Sequence, residues 1–226
     1  MPRSVHVSGS SDGLREALEE RLERSGAELV DEPDKAEITI QIDSQESSDI
    51  AIVPPGSTSP GSGIVIELSD VIIPNGGNKW GNGVMTDWIE KILSGKNPDP
   101  EPKIRFWVNV RDVVDAISTI CMNGKEKMPN GNYTMCGRRA WEMADVIDEI
   151  RVLWERYNNS INHSHTIESL SEVPSPVRGL HSKIEERPDL TKIHEALVMS
   201  GADGWHPLVP MRVSLMEMIA SAKNST

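Results

Sequence analysis

Arg105 is the residue whose type and position could bind an anionic ligand most directly. It stands before an apolar run, residues 106–110, that has the length of a buried strand and leads into a helix, with Asp112 expected at the helix N-terminus. A guanidinium makes forked, charge-assisted hydrogen bonds that an ammonium cannot copy. By position alone, however, Arg105 is more typical of a solvated charge at a strand edge than of a ligand contact. Ligand contact is the alternative interpretation.

Other reactive side chains give weaker indications. Cys121 and Cys136 form no Cys-x-x-Cys pair and are expected to be buried free thiols in a reducing cytoplasm. His163 and His165 have no carboxylate or thiolate partner near them in the sequence, so no metal site is expected. The residues alone therefore assign no catalytic group.

Composition excludes several partners. The chain has 226 residues, with 23 Lys plus Arg against 35 Asp plus Glu, and a formal net charge of -12. Such an acidic surface repels nucleic acid and anionic membranes. No apolar run approaches the ~20 residues of a membrane span. We expect a cytoplasmic protein that binds neither nucleic acid nor membrane.

The N-terminal half alternates strands and turns as a parallel α/β sheet would. Residues 4–8 predict a strand, residues 9–13 a turn, and the apolar spacing that follows a helix ending at Gly26. Further strands are expected at residues 27–30, 38–42, 50–53 and 64–68. The connection of residues 43–49 is too short for a crossover helix, so this strand pair is either antiparallel or has lost a helix.

The C-terminal half is expected to complete the sheet and add a lobe. Helices are predicted at residues 84–93, 141–157, 189–199 and 213–222, a strand at residues 131–135, and a long loop at residues 158–188. We divide the chain into a reduced Rossmann-like portion, residues 1–74, and residues 75–226, which complete the sheet and form a substrate-type lobe within one structural unit.

Four ordered segments resemble the extended short-chain dehydrogenase/reductase family, which contains the sugar-nucleotide epimerases and dehydratases. That family typically has an Arg-Asp-Phe-Val-Tyr-Val-Asp-Asp-Val segment, a Gly-x-Tyr-Asn-x-Gly segment, an Asp-x-x-Lys helix before Leu-Gly-Trp-x-Pro, and a Tyr-Gly-Pro-Gly strand exit. The corresponding segments here are residues 105–113 (RFWVNVRDV), 131–137 (GNYTMCG), 189–192 (DLTK) with 204–207 (GWHP), and 70–76 (DVIIPNG) with 81–84 (GNGV). The resemblance implies a Rossmann-like, mostly parallel α/β fold with a small C-terminal α/β substrate lobe.

The first turn departs from the family pattern. The family has Gly-x-x-Gly-x-x-Gly, whose glycines let the backbone approach the cofactor pyrophosphate. Those positions here are Gly9, Asp12 and Arg15, and a register that uses Gly13 still supplies only two glycines. Gly9, Ser10, Ser11, Asp12 and Gly13 are thus a weak cofactor-binding candidate. The alternative is a plain turn with Asp12 as helix cap.

The family's catalytic pair is missing. Relatives use Tyr-x-x-x-Lys on one helix, where the lysine lowers the tyrosine pKa. The chain has two tyrosines, Tyr133 and Tyr157, and four positions later stand Gly137 and Ile161. The helix that should carry the pair is replaced by residues 54–63 (PPGSTSPGSG), a loop by composition.

The resemblance implies a better preserved substrate side. Arg105 and Arg178 match arginines that bind a nucleotide diphosphate in relatives. The side chains that could contact a ribose or sugar are Asn75, Asn78 and Asn82. We expect a nucleotide-sugar-binding or assembly protein without dehydrogenase chemistry and without a cofactor, as a homodimer or paired with a complete family member. The alternative is an active NAD- or NADP-dependent sugar-nucleotide epimerase, dehydratase or reductase, with an atypical active site near Ser57, Thr58 or Ser59.

Overall fold

The computed structural model describes residues 3–123, 125–167 and 187–224. Its main sheet has the strand order β2-β1-β3-β4-β5-β9, and every neighbouring pair is parallel. The strands are β1 (Ser4–Gly9), β2 (Glu28–Leu29), β3 (Ile38–Ile42), β4 (Ile50–Val53), β5 (Ile64–Leu68) and β9 (Gly131–Met135). The predicted Rossmann-like, mostly parallel sheet is confirmed.

Helices α1 (Leu14–Arg24) and α3 (Val110–Asn123) lie together on one face of this sheet. The face is apolar because alternate strand residues point to it, among them Val5, Ile40 and Ile66. Helix α1 presents Leu14, Leu18 and Leu22, all fully buried, to the same core. Each such leucine stabilises the fold by about 2 kcal/mol.

On the opposite face, the described connections between strands lack the helices that parallel crossovers usually supply. Residues 43–49 join β3 to β4, and residues 54–63 join β4 to β5, and neither segment contains a helix. Gln41 points to this face and donates through Nε2 to Ser44 Oγ at 2.9 Å and to Glu46 Oε2 at 3.2 Å. Gln41 therefore holds the first connection against this face of the sheet. Of the two alternatives for residues 43–49, the lost helix is correct and the antiparallel pair is wrong.

Three helices form a second core beside the sheet. They are α2 (Asn82–Leu93), α4 (Met143–Ile161) and α6 (Met211–Asn224), and they contact one another. Between them lie buried side chains such as Ile89, Ile150 and Ile219. Helix α5 (Thr191–Met199) packs instead against α3 and β9. No helix within the described ranges is long and apolar enough to cross a membrane.

Two short strand pairs lie outside the main sheet, and they differ from the single strand predicted within residues 104–117. Strands β6 (Val71–Ile72) and β8 (Val108–Asn109) pair in parallel, and β7 (Ile104–Arg105) pairs antiparallel with β10 (Trp141–Glu142). The expected continuous strand over residues 106–110 is therefore wrong. Helix α3 also begins at Val110, so Asp112 lies in its first turn and does not cap it.

Candidate functional site

Asp70 holds the segment that carries Arg105. Its Oδ1 accepts a hydrogen bond from Arg105 Nη1 at 3.0 Å, and its Oδ2 accepts one from the backbone N–H of Phe106 at 2.9 Å. Its carbonyl oxygen also accepts the N–H of Val108 at 2.9 Å. Asp70 makes these contacts from a left-handed conformation, with φ 54°. Asp70 thus contacts both β7 and β8, and two short strands are present where a single strand was expected.

Arg105 is neither solvated nor free. Its side chain is 17% exposed and that of Asp70 is 15% exposed, so the expected strand-edge charge is wrong. The guanidinium also lies 5.4 Å from the ring centroid of Trp107. A Cβ added to Gly81 would come within 3.0 Å of Nη1, which shows how closely the start of α2 approaches Arg105.

Arg105 lines a cavity of about 340 Å³ whose charge does not favour a diphosphate. Three carboxylates in its lining outnumber Lys103 and Arg105. A diphosphate that entered would meet like charge and would compete with Asp70 for the guanidinium. The carboxylates are Asp87, Asp99 and Glu101.

The three asparagines have different environments. Asn82 is fully buried, donates to the carbonyls of Ile73 and Gly77 at 3.1 and 3.0 Å, and accepts the Ile73 N–H at 2.9 Å, so it holds the loop before α2. Asn75 accepts a hydrogen bond from Ser221 and lines a cavity of about 650 Å³ between α2, α4 and α6. Asn78 is exposed beside Gly83. Arg178 lies outside the described residues. Gly81, the residue before Asn82, approaches Arg105, and Gly83, which lies against Asn78, lines the same cavity as Arg105.

The turn after β1 is organised by its first glycine and by a carboxylate from α1. Gly9 has φ 100°, and a Cβ there would lie 2.1 Å from the carbonyl oxygen of Ile42. Glu16 accepts hydrogen bonds from the Ser11 hydroxyl and from the Gly13 N–H, the latter at 2.8 Å. The Ser11 bond lowers the pKa of Glu16. An anionic carboxylate of the chain therefore occupies the N-terminus of α1, where a family cofactor would place its pyrophosphate.

A loop from the lobe covers the same turn. Asp12 accepts a hydrogen bond from Trp80 Nε1 at 2.7 Å through Oδ2, and its carbonyl accepts the Gly77 N–H at 3.0 Å. A Cβ on Gly13 would lie 2.8 Å from Ile73 Cγ2 and 3.0 Å from Gly76 Cα. The turn is thus in contact with residues 73–80, and the residues present do not fit a dinucleotide there.

Lys79 adds a charge contact at the point where the order of the sheet reverses. Its Nζ donates to Ser10 Oγ at 3.0 Å and forms an ion pair with Asp43. Ser10 follows β1 and Asp43 follows β3, so the lysine bridges the edge at which α/β proteins of this type bind ligands. Sequence reasoning missed both Lys79 and Trp80, because no local pattern links them to a turn about 70 residues earlier.

Asp12 contributes to the helix start in addition to its contact with Trp80. Its Oδ1 accepts the Leu14 N–H at 3.3 Å, while the N-cap position itself is Gly13. The expected role of Asp12 as the helix cap is therefore shared with Glu16.

None of the side chains in the described ranges stands out as a general base. Tyr133 is buried and donates to the carbonyl of Pro129 at 2.6 Å, and burial raises its pKa. Ser59 Oγ and Ser62 Oγ form a hydrogen bond at 2.9 Å within the connection of residues 54–63. Among the residues that the structure describes, no group of three or more His, Cys, Asp or Glu could hold a metal ion.

The two cysteine thiols are unreactive near neutral pH. Cys121 and Cys136 are free and buried, as expected from the sequence. Burial raises the pKa of each thiol to about 12. Neither can supply a thiolate nucleophile near neutral pH.

Solved structures share this fold. No family model and no curated protein sequence matches the chain. RMD from Pseudomonas aeruginosa, complexed with NADPH, aligns with a TM-score of 0.63 at 12% identity over 100% of this chain and 99% of that one. The dTDP-glucose 4,6-dehydratase from Bacillus anthracis, in complex with NAD, aligns with a TM-score of 0.58 at 12% identity, over 98% of this chain and 97% of that one.

A third solved structure has the same fold. The UDP-glucose 4-epimerase from Thermus thermophilus, in complex with NAD, has a TM-score of 0.54 at 11% identity, over 99% of this chain and 100% of that one. Identities this low establish the fold and not the activity. The resemblance is confirmed at that level: the chain has the fold of the extended short-chain dehydrogenases/reductases, with two connections that contain no helix where crossover helices are expected.

Proposed function

We propose that the protein is a nucleotide-sugar-binding or assembly protein that lacks dehydrogenase chemistry. The observation that carries the proposal is the contact between Asp12 and Trp80, together with the packing of residues 73–80 on Gly13. A dinucleotide needs backbone N–H groups at this turn for its pyrophosphate. Here Glu16 and Asp12 accept from the Gly13 and Leu14 N–H groups.

The absence of the catalytic pair points the same way. Tyr133 and Tyr157 have no lysine four positions later. Residues 54–63, which replace the expected catalytic helix, connect β4 to β5 without a helix. The chemistry of the family needs a tyrosine whose pKa is lowered by a neighbouring cation, and burial raises the pKa of Tyr133 instead.

Nucleotide-sugar binding is proposed because such enzymes share the fold. A dehydratase of a dTDP-sugar and an epimerase of a UDP-sugar are both neighbours. Arg105, Arg178, Asn75 and Asn78 remain our proposed contacts, with Asn82 supporting the loop. Arg105 would have to exchange part of its bond to Asp70 for a ligand oxygen.

The second candidate is an active NAD- or NADP-dependent enzyme. The observation in its favour is that neighbours of the same fold carry these cofactors. It would require residues 73–80 to move away from the turn and Trp80 to release Asp12. It would also require a base that we do not identify, with Ser57, Thr58 and Ser59 as the nearest sequence candidates.

Calorimetric titration with UDP-glucose and dTDP-glucose tests the binding form of the proposal. We expect micromolar to millimolar affinity, and Arg105→Lys, which keeps the charge but loses the fork, should weaken it about tenfold. Lys35→Ala, which removes an exposed cation paired with Glu32, is the control and should bind like the wild type.

The proposed role in assembly is tested by measuring the oligomeric state of the protein in solution. If neither nucleotide sugar binds, sedimentation should show a homodimer, or a complex with a complete family member. A monomer that binds no nucleotide sugar and no such partner would overturn the proposal.

A further inference from the structure

Strand β9 forms one edge of the main sheet and pairs in parallel with β5. The Gly131 N–H and the Met135 carbonyl oxygen bond to the residues on either side of β5, at 2.9 and 3.2 Å. Successive residues of a strand direct their backbone groups to opposite sides, so Asn132 and Thr134 direct theirs away from β5. Within the described ranges, no hydrogen bond reaches the backbone donors and acceptors of these two residues.

This free edge of β9 is accessible. Asn132 is exposed and Thr134 is partly exposed. Tyr133 and Met135 point into the core, where they are buried, so the side chains of Asn132 and Thr134 point to the other face of the sheet. A strand that docks beside β9 would therefore leave the core unchanged.

The other edge of the sheet is protected against pairing. Strand β2 has only two residues, Glu28 and Leu29, and is followed by Asp31, Glu32 and Pro33. Short strands, charges and proline are features by which proteins prevent an edge from pairing with another chain. Strand β9 has five residues, GNYTM, with no charge and no proline. Its sequence therefore permits an added strand, whereas that of β2 opposes one.

The charge around β9 suits a second copy of this acidic chain. The net charge is -12, so two copies repel each other where their charged surfaces meet. Residues 129–137, which extend on both sides of β9, carry no charged side chain. Over this run, two copies can meet without like charges opposite each other.

The free backbone groups determine the register of such a pair. In an antiparallel pair, two residues that lie opposite each other exchange both of their backbone hydrogen bonds. A twofold axis at Tyr133 places Asn132 of each copy opposite Thr134 of the other. Each free N–H of one copy then meets a free carbonyl oxygen of the other, so the edge is complementary to itself.

We propose that the free edge of β9 pairs antiparallel with β9 of a second copy of this chain, about a twofold axis at Tyr133. The two sheets become one continuous sheet, with α3 and α5 of both copies on the same face. The inference rests on the assembly part of the proposed function and deepens it, because it names the surface through which the homodimer forms.

Sedimentation velocity of the full chain, together with amide hydrogen exchange, tests the edge. We expect mainly dimer at about 100 μM and mainly monomer at about 1 μM, as for an interface of modest area. The N–H groups of Asn132 and Thr134 should exchange at least tenfold more slowly in the dimer than in the monomer, because they are bonded only in the dimer.

Two double variants test the register. Asn132→Lys with Thr134→Lys places lysines opposite each other across the axis and should weaken the dimer at least tenfold. Asn132→Lys with Thr134→Glu places a lysine opposite a glutamate and should dimerise at least as well as the wild type. Glu28→Lys changes the net charge by as much as the double lysine variant, but at the other edge, and as the control it should not weaken the dimer. Urea unfolding should show each variant folded, because the substituted side chains lie outside the core.

The inference is overturned by any of three results. These are a wild type that stays monomeric at about 100 μM, equal dimerisation of the two double variants, or a dimer in which the Asn132 and Thr134 amides are not protected. A homodimer that gives the second or third result would leave the proposed function standing, with its interface elsewhere. A monomeric wild type would leave the proposed function to the nucleotide-sugar titrations with Arg105→Lys, so the two failures are distinguishable.

Discussion

Asp70 and Arg105 form an ion pair at 3.0 Å across 35 positions of sequence, with both side chains largely buried. The same carboxylate accepts the Phe106 N–H, so a single side chain holds both the charge and the backbone of β7. The arginine that most resembles a family ligand contact is therefore also part of the framework. Its loss would affect stability as well as binding.

Replacing Asp70 should show how much this ion pair stabilises the fold. We expect Asp70→Ala to lower the free energy of unfolding by about 3 kcal/mol, because Arg105 loses its partner in a partly buried site. Asp70→Asn keeps an acceptor and tolerates the left-handed backbone, so it should cost only about 1–2 kcal/mol. Urea unfolding followed by tryptophan fluorescence measures both. Asp87→Ala, which removes an exposed pair with Lys91, is the control and should change stability by under about 0.5 kcal/mol. Equal effects of all three changes would contradict the structural role of Asp70.

Gly9 should prove to be required by the fold. Gly9→Ala would place a Cβ 2.1 Å from the carbonyl oxygen of Ile42 at φ 100°, and we expect a loss of about 3 kcal/mol or more. Gly26→Ala has a similar positive φ of 87° but no neighbour within 4 Å, and should cost about 1 kcal/mol. Thermal or urea unfolding separates the two. If Gly9→Ala were as mild as Gly26→Ala, the close approach of β3 would not explain this glycine.

Asp112 should give stability a defined pH dependence. Burial raises its pKa above the usual 3.8, although the Leu208 and Val209 N–H groups donate to it. Between 3.8 and the higher folded pKa, the folded state binds the proton more tightly than the unfolded state. The contribution of this group to stability therefore falls as the pH rises through that window. Compared with Asp112→Asn, the wild type should gain stability as the pH drops through the window, measured by urea unfolding. A wild type that instead loses stability relative to the variant would show that the hydrogen bonds outweigh burial.

The two thiols should react only when the protein opens. Cys121 and Cys136 are buried, and burial raises each pKa to about 12. A colorimetric thiol reagent at neutral pH should label neither in native buffer and both in urea. Single Cys→Ser variants assign any signal. Rapid labelling of one thiol in the folded protein would place that cysteine at an accessible surface.

Local patterns predicted much of the sheet. The strands at residues 38–42, 50–53, 64–68 and 131–135 have the predicted bounds, because runs rich in β-branched residues are flanked by turn formers. The absence of helices at residues 43–49 and 54–63 also followed from length and composition.

The site was less predictable, because its contacts are distant in sequence. Trp80 and Asp12 are 68 positions apart, and nothing near either residue indicates the other. The left-handed Asp70 carries no local signal either, so the break between β7 and β8 was missed.

Dinucleotide binding tests the central claim most directly. NADH and NADPH can be titrated while nicotinamide emission is followed after excitation of the six tryptophans, one of which, Trp80, lies on the turn. Because residues 73–80 and Glu16 occupy the turn, we predict no saturable signal up to about 1 mM, which corresponds to binding weaker than about -4 kcal/mol. Saturable transfer with a micromolar Kd would contradict the account and favour an active enzyme.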